Sequence, residues 1–272
     1  MQDSCGNIAH PKLPPELECS IFVLAYHSDQ RDVRHLLLVA KRVFHWLISI
    51  IYNDRTVIFD HRMVPHPPIA AFRKYGHHVR HLYLDAQYHG DHGGMDAILA
   101  ACPNVFDLGC GNKARLTQEA FNHPIKRLSL MRLSLFQEAH KASPNESLLT
   151  NWCSNVTHLS ICTDLHSSNC QSLMLFPNLT HFSLFAWNNH SVVPEILRLS
   201  PQLQVVVYLW VSDTTTECTK VISGPTSLFQ DPRVVEVDYF FPEDWKRSAR
   251  EDDDIWAMAE REVRRRQSTG KV

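Results

Sequence analysis

Side chains able to do chemistry are plentiful in this sequence of 272 residues, and their spacing decides whether they converge. Seventeen histidines and eight cysteines raise zinc first. His77, His78 and His81 cluster, and Tyr88-His89-Gly90-Asp91-His92-Gly93-Gly94 sets two histidines around an aspartate. A zinc site needs three or four converging ligands, each steadied by a further hydrogen bond. Nothing in the sequence carries a third ligand to His89 and His92, and the glycines read as a loop, so no metal is expected. The cysteines stand at 5, 19, 102, 110, 153, 162, 170 and 218, and no pair has the two-residue gap of a zinc or redox motif. Gly109-Cys110-Gly111-Asn112-Lys113 lacks the spacing and the hydroxyl of a phosphate loop. G-x-S-x-G and H-E-x-x-H are both missing. A cysteine or serine nucleophile needs a base beside it in space, which spacing alone does not supply. No catalytic residue and no cofactor are expected. The remaining enzyme reading is an unusual activity in the His-rich loop at 77–92.

Composition excludes further classes. The chain is 44% hydrophobic and 21% charged with 9 glycines, which is globular rather than disordered. A formal net charge of −2 gives no overall drive toward nucleic acid or an anionic membrane, and the basic residues form no stripe. The longest apolar stretches, 46–52 and 205–211, are too short to span a bilayer. The opening MQDSCGNIAHPKLPPELE lacks the charged and apolar regions of a signal peptide, so a cytoplasmic or nuclear location with free thiols is expected. N-x-S/T sequons begin at Asn145, Asn155, Asn178 and Asn189. Asn155 and Asn178 each precede an apolar strand position, so a structural role for the asparagine is expected there.

The elements that position these groups follow from apolar spacing. One pattern returns seven times: Val79–Leu82–Leu84, Val105–Leu108–Cys110, Ile125–Leu128–Leu130, Val156–Leu159–Ile161, Leu179–Phe182–Leu184, Leu203–Val206–Tyr208 and Val234–Val237–Tyr239. Its first members recur every 20 to 31 residues, an irregular leucine-rich-repeat rhythm. Helical stretches at 96–102, 118–121 and 193–199 precede strands, so the unit is helix, turn, short strand. The expected fold is α/β: a flexible tail at 1–12, a short helical unit at 13–60, a leucine-rich-repeat-like solenoid at 70–241, and a charged C-terminal helix and tail at 242–272. In the helical unit, Leu17, Ile21, Leu24 and Ala25 share one helical face; Val33, Leu36, Leu37 and Ala40 follow on a second helix, and Val43, Trp46, Leu47, Ile50 and Ile51 on a third. Residues 56–59 read as a strand, and Pro65, Pro67 and Pro68 as a rigid turn. In the last segment Ile255, Trp256, Ala259 and Val263 share a face, with acids at 251–254 and Arg264-Arg265-Arg266 at the other end, matching the helix dipole. That helix is expected to cap the open end of the solenoid; the alternative is a small basic localisation or phosphate-contact patch.

Strand side chains alternate faces. With Leu82 and Leu84 inward, the first outward column is His81, Asp107, Arg127, His158, His181, Val205, Glu236. The second is Tyr83, Gly109, Ser129, Ser160, Ser183, Val207, Asp238, and the third Asp85, Gly111, Met131, Cys162, Phe185, Leu209, Phe240. The third turns apolar toward its end. Phe185, Trp187, Leu209, Trp210 and Phe240 are therefore the candidate contacts for a protein substrate, because aromatic anchors dominate interface energy. The competing placement is beneath the C-terminal helix, against Trp245 or Trp256. A one-residue slip would exchange the two faces.

The segment LPPELECSIFVLAYHSDQRDVRHLLLVAKRVFHWLISIIYNDRTVIF resembles an F-box-like domain, through Leu13-Pro14, Glu16-Leu17, Ile21-Phe22, Leu36, Val39, Lys41-Arg42-Val43 and Trp46. The wording LPPEL-x3-IF-x-LA followed by LLLVAKRV-x2-W is similar to F-box-like proteins abundant in mushroom-forming fungi, which carry a degenerate repeat array behind the motif. Gln30-Arg31-Asp32-Val33 and Ala40-Lys41-Arg42-Val43 depart from the usual pattern. The resemblance implies that the three helices bind the Skp-type adaptor of a cullin-RING ubiquitin ligase, while the repeat region holds an unknown protein substrate. Carried over by position, Leu13, Pro14, Leu17, Ile21, Phe22, Leu36, Val39, Val43 and Trp46 are the adaptor contacts or the core that shapes them. A monomer outside that complex is expected. The alternative is an interaction scaffold that never meets the ligase, its helical head a mere cap.

Overall fold

A computed structural model describes residues 13–28, 33–54, 57–60, 69–85, 93–111, 130–135, 153–161, 167–185, 190–211, 220–221, 230–239 and 254–269. The expected tail 1–12, the turn 29–32, the proline turn 65–68, the histidines and aspartate of 89–92, the helix at 118–121, the strand at 125–129 and the segment 242–253 with Trp245 lie outside the described residues. So do Cys162, Trp187, Phe240 and the sequons at Asn145 and Asn189. The chain forms two compact units, 1–51 and 52–272.

The first unit is helical. Helix α1 spans Pro15–Ser28, α2 spans Val33–Val39 and α3 spans Lys41–Asp54. Proline suits the start of α1, where the amide it lacks would have no intrahelical partner. The Pro14 carbonyl accepts the first amides, from Leu17 and Glu18, each at 3.0 Å. Ala40 interrupts the helical run, and its carbonyl takes the Phe44 amide at 3.0 Å to start α3. Tyr26, Val43 and Leu47 are fully buried, with Phe22, Leu36, Leu37, Trp46 and Ile50 packed around them. For α3 these are the positions that periodicity assigned inward. On α1 the shared face of Leu17, Ile21 and Leu24 is more than half exposed, while Phe22, Val23 and Tyr26 turn in. The helix is apolar on two faces, and the aromatic one takes the core because it removes more surface from water.

The second unit is built on one nine-stranded sheet in the order β1-β2-β3-β4-β5-β6-β7-β9-β8. Its strands are β1 Val57–Asp60, β2 His81–Asp85, β3 Asp107–Cys110, β4 Arg132–Leu135, β5 His158–Ile161, β6 His181–Phe185, β7 Val205–Val211, β8 Lys220–Val221 and β9 Val234–Tyr239. All neighbours run parallel except β8, which pairs antiparallel with β9 at the edge. Three helices, α4 Ile69–Tyr75, α5 Gly93–Ala101 and α6 Val193–Leu199, contribute to the core on the inner face. There Leu82, Leu108, Leu133, Leu159, Phe182 and Val206 meet Phe72, Ile98, Leu99 and Ile196. On the outer face Val205, Val207, Leu209, Val235 and Val237 meet helix α7, Ile255–Thr269, through Ile255, Trp256, Ala259 and Val263.

This corrects the expected leucine-rich-repeat-like solenoid with an end cap. The class is α/β, but helices pack against both faces of a single parallel sheet, and α7 lies over the outer face near β7 and β9. The physical reason is the apolar outer side of the last strands. An open solenoid would leave it in water, whereas a helix whose own apolar stripe matches it removes both surfaces at once.

Two strand frames are also corrected. The fourth strand is centred on Leu133, so Arg132 and Ser134 stand outward where the spacing assigned Arg127 and Ser129. On β9, Val234 pairs with Val206 and Glu236 with Tyr208, so Val235 and Val237 are the outward residues in place of Glu236 and Asp238. Side chains repeat every two residues, so a one-position slip moves the whole strand to the other face.

Side chains tie successive turns together. Asn104 Nδ2 donates to the His77 carbonyl, and Asn178 Nδ2 to the Ser154 carbonyl, each at 2.6 Å. Asn178 therefore has the structural role its position suggested. Gly76 is required by a close approach: a β-carbon there would come 2.9 Å from the Ala101 carbonyl carbon and 3.0 Å from Cys102 Sγ. Gly76→Ala is expected to lower stability by about 1–3 kcal/mol through overpacking. The urea midpoint measures this, and an unchanged midpoint would show that the α5 terminus gives way freely.

Candidate functional site

Two surfaces stand out, one in each unit. In the first unit, Leu13, Leu17, Ile21 and Leu24 are 55%, 54%, 51% and 66% exposed, and Leu38 and Val39 are 82% and 59% exposed. Leu17, Ile21 and Leu24 follow the four-then-three spacing of a single helical face. Among the described residues only Met131 and Met174 are other large hydrophobic side chains exposed to this degree. Single exposed hydrophobics are ordinary, but here six fall within 27 consecutive positions of a small unit. Arg42 braces α3 to α1 through a bidentate pair with Glu18 at 2.5 and 3.1 Å.

Of the nine expected adaptor contacts, Leu13, Pro14, Leu17, Ile21 and Val39 are exposed. Val43 is fully buried, and Phe22, Leu36 and Trp46 pack around the core. The set thus divides into surface and support. Leu24 and Leu38 were not assigned to the surface from sequence. For Leu24 the helical spacing with Leu17 and Ile21 was visible, but it does not say which way the shared face turns.

The second surface is the first outward row of the sheet, which runs His81, Asp107, Arg132, His158, His181, Val205 across adjacent strands. Parallel pairing in constant register puts equivalent positions side by side. His81 Nδ1 lies 3.2 Å from Asp107 Oδ2. Arg132 Nη1 donates to Asp254 Oδ2 at 2.6 Å. The His158 and His181 rings stack at 4.1 Å with 12° between their planes, and Trp256 meets both in T-shaped contacts at 5.2 and 5.8 Å. His181 Nε2 lies 3.0 Å from Glu260 Oε1, and each Nδ1 lies 2.8 Å from the hydroxyl of the threonine before it, Thr157 or Thr180. In the next row Ser183 donates to Ser160 at 2.5 Å, both buried.

Burial dominates the electrostatics of this row. It pushes His158 down to about 3, with help from His181 and Arg132. It also lowers His181, against the opposing pull of Glu260. Both imidazoles are therefore neutral at pH 7. Asp254 does two jobs: Oδ1 accepts the Ala257 amide at 2.7 Å, capping α7, and Oδ2 takes Arg132. Asp254→Ala is expected to cost about 2 kcal/mol, the cap plus a stranded guanidinium, and Asp254→Asn about half of that because the amide still caps. Thermal unfolding of the three proteins checks the order. Equal losses would mean that the Arg132 pair carries the whole effect.

The expected substrate contacts are placed differently from their assignment. Phe185 and Leu209 are buried in the layer beneath α7, the competing placement named for them, and offer no surface to a partner. Trp210 faces the other side of the sheet, half buried against the inner core, and its indole donates to Glu236 at 3.2 Å. The three consecutive arginines near the end of α7 are all engaged. Arg264 pairs with Glu260, Arg265 with Glu262, and Arg266 with both Glu262 and the Val234 carbonyl. Hydrogen bonds from Arg265 and Arg266 hold Glu262 down at about 2.

The His77 and His78 rings lie 3.9 Å apart, tilted 44° to one another. Among the described residues no group of three His, Cys, Asp or Glu side chains is placed to hold a metal ion. Cys102 and Cys110 are buried, and burial pushes their thiols up, Cys102 to about 12, so neither is a thiolate near neutral pH. Among the described residues no helix is long and apolar enough to cross a membrane. No family model matches this chain, and no curated protein matches it.

Proposed function

We propose that this protein is the substrate-recognition subunit of a cullin-RING ubiquitin ligase, docking a Skp-type adaptor through its first unit and a protein substrate through its second. The observation that carries the reading is the group of exposed apolar side chains Leu13, Leu17, Ile21, Leu24, Leu38 and Val39 in the first unit. It falls in the segment that resembles an F-box-like domain and includes four of the residues that resemblance assigns to the adaptor. A small three-helix unit with so much apolar surface in water is marginal alone and gains stability from a partner that covers it.

On this reading the protein performs no covalent step. It raises the effective concentration of a substrate near an enzyme held elsewhere in the assembly. The location that goes with it is cytoplasmic or nuclear. The buried setting of Phe185 and Leu209 removes them as substrate contacts, so the substrate would meet other parts of the second unit.

The test is co-expression of the full chain with a Skp-type adaptor, followed by affinity capture and size-exclusion chromatography. A stoichiometric complex is expected. A well-folded chain that elutes without adaptor would overturn the ligase reading and leave the alternative, an interaction scaffold outside the ligase.

A further inference from the structure

We propose that α7 is an acid-released strap: protonation of the stacked His158–His181 pair detaches it from the sheet and uncovers the apolar face beneath. The inference is independent of the adaptor reading.

The geometry sets two titratable rings against each other under a helix. They sit on adjacent strands at 4.1 Å and nearly parallel, with Trp256 of α7 against both. The charged groups around them are few. Arg132 on β4 stands next to His158 in the row and is matched by Asp254 at 2.6 Å. Beyond Arg132, Asp107 on β3 is occupied with His81 on β2. From α7, Glu260 faces His181 and also takes Arg264 at 3.2 Å. Val205 flanks the pair on the other side and brings no charge.

This arrangement accommodates one added proton and resists two. Neutral His181 gives its single N–H to Glu260 and accepts at Nδ1 from Thr180. When His181 is doubly protonated, Nδ1 becomes a donor, and the Thr180 hydroxyl can turn to the Thr157 carbonyl 3.3 Å away. The Thr157 hydroxyl beside His158 can likewise turn to the Met131 carbonyl 3.3 Å away, but among the described residues His158 forms no pair with a carboxylate like that of His181 with Glu260. Among the described residues its contacts are the Thr157 hydroxyl, the His181 ring and the Trp256 ring, with Arg132 next in the row. A second cation there repels the first across a ring stack in a setting where water does not screen it.

In the closed form both histidines are held below their ordinary value, mainly by burial. In the open form they regain it. The open form therefore binds more protons. Their contribution to closure is complete above about pH 6.5 and declines as pH falls toward the closed-form values. Each histidine shifts the open-to-closed ratio by up to about tenfold per pH unit in that window. The strands are linked by a continuous parallel ladder, whereas α7 is one helix attached by side chains, so it opens first. The uncovered face carries Phe185, Val205, Val207, Leu209, Val235 and Val237.

Hydrogen exchange of the full chain between about pH 7.5 and pH 5, corrected for intrinsic rates, reads the opening directly. Amides of α7 are expected to lose protection at least about tenfold more than those of β2 and β3. In the His158→Gln, His181→Gln double variant this acid-specific loss should vanish. Glu260→Gln, a change at a partly exposed position, should move the opening toward neutral pH, because the carboxylate that accepts the first proton's charge is gone. Loss of protection by α7 and the strands together would overturn the proposal, as would α7 protection that ignores pH. So would an undiminished acid effect in the double variant or, where that variant does not fold, an unmoved midpoint in Glu260→Gln.

Discussion

Under the proposed adaptor docking, replacing Leu17 and Ile21 together by aspartate is expected to weaken adaptor binding at least about 100-fold while leaving the helical unit folded. The two side chains are 54% and 51% exposed on one face of α1, so the folded state gives up little when they become polar. Surface changes of this kind usually stay within about 0.5 kcal/mol per site. In the proposed complex these positions would be covered, and a carboxylate there would be desolvated without a partner. Central interface positions cost about 2 kcal/mol or more each, and about 2.8 kcal/mol is a hundredfold in affinity. Titration calorimetry with the adaptor and circular dichroism of each protein separate binding from folding. Phe22→Asp is the contrasting variant. Phe22 packs against the Tyr26–Val43–Leu47 core, so this change is expected to unfold the unit and to say nothing specific about docking. Undiminished adaptor binding by Leu17→Asp, Ile21→Asp would remove α1 from the docking surface.

Trp256→Ala is expected to produce the largest loss of stability in the second unit, about 3–5 kcal/mol. Trp256 is 7% exposed and is the largest side chain that α7 contributes to the outer cluster. It touches the His158 and His181 rings and belongs with Val205, Val207 and Leu209 to one apolar layer. Truncation leaves a cavity between a helix and a sheet, and the ladder of strands does not collapse to fill it. Arg264→Ala is the matched control on the same helix. That guanidinium is 65% exposed, its pair with Glu260 spans one helical turn, and its loss is expected to stay below about 0.5 kcal/mol. Denaturant unfolding followed by far-ultraviolet circular dichroism compares the two. A loss under about 1 kcal/mol for Trp256→Ala would mean that α7 is not seated on the sheet in solution.

Much of the local structure is legible from the residues themselves. The spacing Val105–Leu108–Cys110 places a strand at 107–110, and its counterparts at 82, 159, 182 and 206 are all inward on the same sheet. Proline at 15 opens α1, and the apolar stripe of Ile255, Trp256, Ala259 and Val263 is buried as its periodicity requires. These readings depend on the alternation of a strand and the turn of a helix, which are properties of neighbouring residues. The frames of β4 and β9 were misread for the same reason in reverse. Leu130–Leu133–Leu135 carries the pattern as well as the segment chosen, whereas on β9 the chosen Val234–Val237–Tyr239 straddles both faces, and only pairing with the neighbouring strand shows that Val234 turns in and Val235 and Val237 turn out.

What the sequence by itself determined is therefore an α/β chain with a helical head, a series of short strands and an amphipathic C-terminal helix. What the tertiary structure decided is which apolar faces meet. Phe185 and Leu209 looked like anchors for a partner until α7 lay across them, and the shared face of Leu17, Ile21 and Leu24 had no assigned side until the aromatic side of α1 took the core. The row of His158, His181, Arg132, Asp254 and Glu260 draws on four separate segments of chain. Apolar burial has no direction and no sequence address, so a stripe records that a side chain will be covered but not by what, and polar groups are brought together wherever the covering element carries them.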